Sequence, residues 1–123
     1  MEIGMTHTSS LVVTNEKTAL NLGSGDLPVL ATPAMMALME NAAMLAVADS
    51  LPEGSTTVGG QIASSHLLPT LVGDSVTATA ELISVEGRKL GFRITAHDSQ
   101  GRLIGEGTHL RFIVDKERFM ARK

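Results

Sequence analysis

The chain has 123 residues, enough for one domain with its own core, and its 43% hydrophobic content predicts a folded globule rather than a disordered segment. The absence of cysteine excludes disulfides and thiolate metal sites, and the lack of a long apolar run or a signal-like start leads us to expect a cytoplasmic protein with no membrane association. The net charge of −3 and the lack of Trp and Tyr argue against nucleic-acid binding, although nine basic residues between positions 88 and 123 could favour an anionic ligand or simply lie on solvated strand faces.

The N-terminal part predicts a short strand followed by a long loop. Residues 10–14 (SLVVT) are β-branched and apolar, as is typical of a strand. Residues 15–31 contain Gly23, Gly25 and Pro28, which predict a loop, and loops of this length in compact domains are often lids or binding segments. The GSGD sequence in this loop lacks the further glycine and the Lys-Ser/Thr pair of a phosphate-binding loop. We therefore expect a lid-like loop over residues 15–31.

The next segment, VLATPAMMALMENAAMLAV, predicts one long helix. Thr32 suits the N-cap, where its side chain accepts a hydrogen bond from a first-turn amide, and Pro33 suits the first helical position. The helix should run to about Ser50, where the sequence LPEG ends it. Because its residues are apolar on nearly every side, other elements must wrap around it.

Extended segments follow the helix. Residues 55–68 contain the pair Gly59 and Gly60, which suggests a bulge or a close approach of backbone. Residues 75–85 and residues 89–98 alternate apolar with polar side chains. Each of these two segments therefore predicts a strand with one buried face.

Residues 102–115 alternate in the same way and complete an antiparallel meander. The buried face of this last strand is predicted to carry Ile104, Thr108, Leu110, Phe112 and Val114. Residues 116–123 form either a terminal helical turn or a flexible tail. The order of elements predicts a single α+β domain over residues 1–123, in which a curved antiparallel β-sheet wraps around one long central α-helix and the sheet edges pair across a dimer.

A single carboxylate, Glu40, interrupts the apolar helix. Its helical neighbours three and four residues away are Met36, Ala37, Ala43 and Met44, and none of them can neutralise it. A buried carboxylate is costly without hydrogen bonds or a cation, so a partner must come from elsewhere in the fold or this face must meet solvent. Glu40 is therefore either a general base or nucleophile, or a structural residue at a helix edge or on backbone amides.

The four histidines differ in their expected surroundings. His7 lies in the terminal segment, and His97 and His109 fall on the polar phase of alternating strands, where we expect exposure. His66 follows a glycine-containing strand and precedes Leu-Leu-Pro, a position from which a side chain can reach a pocket. No His or acidic residues have metal-ligand spacing, and no G-x-S-x-G motif is present.

Together these motifs resemble the hotdog-fold acyl-CoA thioesterases, specifically the fluoroacetyl-CoA thioesterase type. The resemblance covers nearly the whole chain and includes VLAT before the helix, LME within it, VTATAEL followed by VEGR, and EGTHLR near the end. It implies that Thr32, Glu40 and His66 form the catalytic group and that Gly59 and Arg111 contact substrate. It also implies a homodimer, or a higher oligomer, with active sites at the subunit interface, an acyl-CoA substrate and no separate cofactor.

The predicted lid departs from this family. The fluoroacetate-specific type carries aromatic residues before VLAT, whereas this chain has ALNLGSGDLP, with Leu20, Leu22 and Leu27 and no Phe. The resemblance therefore implies hydrolysis of a different small acyl thioester, or of a broader range, rather than selectivity for fluoroacetate.

With this resemblance, a separate role can be suggested for each of the three catalytic residues. Thr32 at the helix N-terminus would help polarise the thioester carbonyl and orient Glu40 or a water. Glu40 would activate that water or attack directly to form an anhydride. His66, expected from the partner subunit, would hold the thioester and move a proton. Two other functions are open on this fold: a non-catalytic acyl-CoA-binding module, and a hydratase or dehydratase.

Overall fold

A computed structural model of the chain describes residues 1–121, so Arg122 and Lys123 at the end of the predicted tail lie outside the described residues. The polypeptide forms, in chain order, β1 (Thr6–Val12), α1 (Ala19–Leu22), α2 (Thr32–Val47), β2 (Ser55–His66), β3 (Ser75–Glu86), β4 (Lys89–Asp98), β5 (Leu103–Asp115) and α3 (Lys116–Ala121). Within residues 1–121, no helix is long and apolar enough to cross a membrane.

The five strands form one curved antiparallel sheet in the order β1-β3-β4-β5-β2. The predicted meander of β3, β4 and β5 is confirmed, and β1 and β2 are added at its two edges. Helix α2 contacts all five strands, which confirms the predicted sheet wrapped around one long helix. The α+β hotdog architecture was therefore correctly predicted from the sequence.

The core lies between the concave face of the sheet and α2. The helix buries Met35 and Met39 completely, together with the small residues Ala42 and Ala43. Opposite them, β3 and β4 bury side chains at every second position, which is the alternation that predicted them. Alanine on the buried side of the helix lets its backbone approach the sheet closely, so this packing fixes the depth and direction of α2.

Strand β5 reverses its predicted faces beyond Ile104. The pairing with β4 shifts register between Ala96 and His97, and Ile104 and Gly105 are both buried in succession. This bulge moves every later side chain to the other face of the sheet. The prediction that Thr108, Leu110, Phe112 and Val114 share the buried face with Ile104 is wrong, and His109 and Arg111 occupy that face instead.

The segment before α2 is more ordered than a simple loop. Strand β1 starts at Thr6, earlier than predicted, so His7 lies in the sheet opposite Ala80 and not in a loose terminus. Residues 15–31 contain a short 3-10 turn and α1, and the amide of Leu30 donates to the carbonyl of Thr70. This segment is thereby held beside the end of β2, next to the start of α2.

Candidate active site

Thr32 and His66 form a hydrogen-bonded pair at the start of α2. Thr32 Oγ1 lies 2.7 Å from His66 Nδ1, and both residues belong to the same chain. The N-cap residue of α2 is Ala31, and Thr32 occupies the first helical position without capping the helix. The predicted cap is therefore wrong, because the extended backbone of Ala31 already starts the helix and leaves the Thr32 hydroxyl available to the imidazole.

His66 ends β2, with its ring half-buried against the loop that follows. Burial lowers the pKa of His66 from its ordinary value of 6.5, and the nearby backbone of Leu68 partly opposes this effect. The imidazole is therefore neutral at neutral pH. Its Nε2 atom is buried and has no hydrogen-bond partner within residues 1–121. A neutral ring beside a hydroxyl, with an unused nitrogen, can exchange protons with a bound group.

A cavity of about 280 Å³ opens beside this pair. It is lined by Thr32 and His66, by the loop after β2, and by the segment before α2, in full Ala19, Ser24, Val29, Leu30, Thr32, His66, Leu67, Leu68 and Pro69. Its walls are mainly apolar apart from the hydroxyls and the imidazole. Such a cavity suits a small apolar group whose reactive atom lies at the Thr32–His66 end.

Glu40 belongs to a second cluster further along α2. The side chain is half-buried and faces Gly59 of β2, where an added Cβ would lie only 2.7 Å from Glu40 Oε2. The same point is 3.4 Å from His109 Cε1 and 3.5 Å from Arg111 Nη1. The pairing of β2 with β5 also shifts register between Gly59 and Gln61. Of the two features predicted for the paired glycines, the bulge is confirmed, and the atoms that crowd Gly59 belong to side chains rather than to backbone.

Arg111 brings the positive charge that the apolar helix lacks, and His109 lies beside it. Arg111 is 6% exposed, and burial lowers its pKa from the ordinary value, while the charge of Glu40 opposes this shift. His109 is only 2% exposed, so the expectation that it lies on the surface is wrong. The sequence did contain a signal: Gly105 lies where the strand approaches Met35 of the helix, and His109 lies on the same phase.

The two clusters do not meet within one chain. Glu40 is eight residues beyond Thr32 on one helix, which places their backbones about 12 Å apart along the axis. His66 is seven residues beyond Gly59 on one strand, a span of roughly 23 Å. The structure thus joins Thr32 to His66 and Glu40 to Gly59 and Arg111. It corrects the expectation that His66 reaches Thr32 from the partner subunit.

The two buried histidines predict an acid-sensitive fold. Burial is the largest cause of the lowered pKa of both His66 and His109. A histidine whose pKa is lower in the folded chain stabilises it fully above the ordinary value of 6.5, and this contribution is lost as the pH falls towards the lowered value. We expect the melting temperature to be steady above pH 7 and to fall below about pH 6.5. A melting temperature that does not change between pH 8 and pH 5 would contradict this prediction.

Comparisons with known proteins agree on one family. The sequence profile described as fluoroacetyl-CoA-specific thioesterase matches residues 13–117. The chain is 40% identical over 128 residues to the fluoroacetyl-CoA thioesterase of Streptantibioticus cattleyicolor, covering 99% of this chain and 91% of that protein.

Solved structures show the same relationship. A Thr-to-Ser variant of the fluoroacetyl-CoA thioesterase FlK in complex with acetyl-CoA has 38% identity and a TM-score of 0.92, with 98% of this chain and 95% of that chain covered. A hypothetical protein of Thermus thermophilus, a thioesterase superfamily member, has 30% identity and a TM-score of 0.91, with 98% and 88% covered.

Proposed function

This chain belongs to the fluoroacetyl-CoA thioesterase family, and from that membership we infer that it hydrolyses the thioester bond of a small acyl-CoA to the free acid and CoA. The observation that carries the proposal is the Thr32–His66 hydrogen bond of 2.7 Å at the end of an apolar cavity. Membership of this family favours hydrolysis over the binding-module and hydratase alternatives.

We assign a separate role to each residue of the pair. Thr32 lies at the N-terminus of α2, where free amides and the positive end of the helix dipole favour negative charge on the thioester oxygen. His66 is neutral, so its ring can hold the thioester sulfur, accept the proton that the attacking water has lost, and then give a proton to the departing thiolate. The thiolate then leaves as CoA when the carbon–sulfur bond breaks.

We assign to Glu40 the step in which an oxygen atom attacks the carbonyl carbon of the thioester. As a general base it would take a proton from water while the water oxygen attacks the carbonyl carbon, and as a nucleophile it would attack that carbon and form an anhydride that water then opens. Either route needs a carboxylate that is not already paired. Within residues 1–121 Glu40 accepts no side-chain hydrogen bond and forms no ion pair within 4.0 Å.

We propose that a homodimer brings Glu40 to the Thr32–His66 pair. Strand β2 is twelve residues long and lies at the edge of the sheet, and such an edge favours pairing with another strand. A twofold axis through the middle of β2, near Ile62 and Ala63, would place Gly59 opposite His66 of the partner subunit. Each dimer would then contain two composite sites, with Glu40, Gly59 and Arg111 from one subunit and Thr32 and His66 from the other.

The side chains of the predicted lid, residues 15–31, are our guide to which acyl groups enter the cavity. Leu20, Leu22 and Leu27 are all more than half exposed, and none is aromatic. We propose that the enzyme accepts acetyl-CoA and other small acyl-CoA thioesters without selectivity for the fluorinated group.

The experiment that tests the proposed hydrolysis is a panel of acyl-CoA substrates, including acetyl-CoA and halogenated acetyl-CoA, with CoA release followed by a thiol reagent. Binding of these compounds without CoA release would instead identify an acyl-CoA-binding module.

Replacing the Thr32 hydroxyl should affect catalysis more than folding. Thr32→Ala removes the hydrogen bond to His66, so we expect kcat to fall about tenfold or more. Because Thr32 is exposed and does not cap the helix, the free energy of unfolding should change by less than about 0.5 kcal/mol. Thr32→Ser keeps a hydroxyl and should retain most activity. Equal kcat values for the alanine and serine variants would remove the hydroxyl from the mechanism.

A further inference from the structure

We propose that His109 is a positioning residue that holds the Arg111 guanidinium beside Gly59 and out of an ion pair with Glu40. This inference rests on the proposed hydrolysis, because it explains how Glu40 stays available for that reaction. His109 itself is buried behind Arg111, beneath α2, and it is not part of the Thr32–His66 pair.

The hydrogen bonds around His109 fix which nitrogen carries its proton. His109 Nδ1 lies 2.7 Å from the carbonyl oxygen of Gln61, and a carbonyl only accepts, so Nδ1 must donate. The other nitrogen, Nε2, lies 3.2 Å from Arg111 Nη1, and a guanidinium only donates. Nε2 must therefore accept. Both contacts are satisfied at once only by a neutral imidazole protonated on Nδ1.

The same contacts hold Arg111 in one orientation. Its Nε donates to Thr57 Oγ1 at 2.8 Å, and its Nη2 donates to the Thr57 carbonyl at 2.9 Å. With the bond from Nη1 to His109, these use three of the five guanidinium hydrogens. Thr57 lies on β2 and His109 on β5, so the guanidinium is fixed across both strands of this edge.

Without the bond to His109, the arginine would have a better partner nearby. Glu40 Oε2 and Arg111 Nη1 both approach the same side of Gly59, yet no ion pair within 4.0 Å joins them in residues 1–121. A guanidinium and a carboxylate that close together favour a bidentate pair when both can turn. Such a pair would make the Glu40 carboxylate a weaker base and would fill the space in front of Gly59. The acceptor on His109 competes for Nη1 and prevents this.

The first test compares two substitutions. His109→Phe keeps a buried ring and removes the acceptor, so we expect kcat to fall about a hundredfold, with a smaller change in KM. His109→Gln offers an amide oxygen to Arg111 and should recover much of that loss. His97→Phe on β4 is the matched control and should leave kcat unchanged. Wild-type kcat in His109→Phe would overturn the proposal, and so would an equal loss in the phenylalanine and glutamine variants.

The second test examines the wild-type chain, with His109→Gln used only to assign the signal, and does not depend on activity. Nitrogen-15 NMR of the imidazole side chains at pH 7.5 should show a neutral histidine protonated on Nδ1 whose signal is missing from His109→Gln. A charged His109, or one protonated on Nε2, would overturn the proposal even if His109→Phe fails to fold. If wild-type protein released no CoA from any thioester, the proposed function would fail while the NMR result still tested the position of His109.

Discussion

Replacing Glu40 with glutamine should lower kcat by about a hundredfold or more while the protein stays folded. The amide has the shape of the carboxyl group but neither accepts a proton from water nor attacks a thioester. The fold should tolerate it because, within residues 1–121, no hydrogen bond to another side chain and no close ion pair depends on the Glu40 carboxylate. The measurement is steady-state CoA release from the best substrate of the acyl-CoA panel, with the melting temperature recorded in parallel.

The control for this substitution is Glu106→Gln. Glu106 is an exposed glutamate on β5, so its replacement removes the same charge from the chain without touching either cluster. We expect its kcat to match that of the wild type. If Glu40→Gln turned over substrate as fast as Glu106→Gln, the carboxylate would have no part in the chemistry. Its place beside Gly59 would then be structural, one of the two roles considered from the sequence.

The parts of the fold that could be predicted depend on local patterns. Strands β3 and β4 alternate cleanly, and their buried faces lie where the alternation places them. The helix was predicted because Pro33 and the LPEG sequence mark its ends and because its composition requires it to be wrapped. These features depend on residues close together in the chain, so the sequence displays them directly.

The features that could not be predicted depend on contacts between distant segments. The bulge near Gly105 reverses β5, and it arises from the register between two strands rather than from the alternation within one. His109 was therefore placed on the wrong face. The hydroxyl of Thr32 likewise has two possible partners, a first-turn amide and His66, and only the position of the end of β2 decides between them.

The apolar helix and its lone carboxylate now have one physical explanation. Glu40 faces β2 at Gly59, where an added Cβ would lie 2.7 Å from Glu40 Oε2, so glycine leaves this oxygen its present position. The positive charge that the helix lacks comes from Arg111, which the reversal of β5 turns towards the helix. The polar cluster thus lies beside the edge strand β2, where the proposed second subunit would complete the site.

Mixing two inactive variants should restore activity if the site is shared between subunits. In a heterodimer of a Glu40→Gln chain and a His66→Ala chain, one composite site takes Thr32 and His66 from the first chain and Glu40 from the second, and is intact. The other site lacks both groups. Random pairing makes about half of the dimers mixed, and each mixed dimer has one intact site out of two. About a quarter of the wild-type activity should therefore return.

This result would separate the dimeric site from any site within one chain. If Glu40 acted on a Thr32–His66 pair of its own subunit, every chain in the mixture would lack one of the two groups and no pairing could restore them. The variants should be unfolded and refolded together so that subunits exchange, and each variant refolded alone gives the baseline. Mixing His66→Ala with Thr32→Ala is the matched control, because both changes lie in the same half of the site and no dimer contains an intact one. Activity no higher than this control would show that the twofold arrangement proposed for β2 is wrong, even if Glu40 and His66 are each essential.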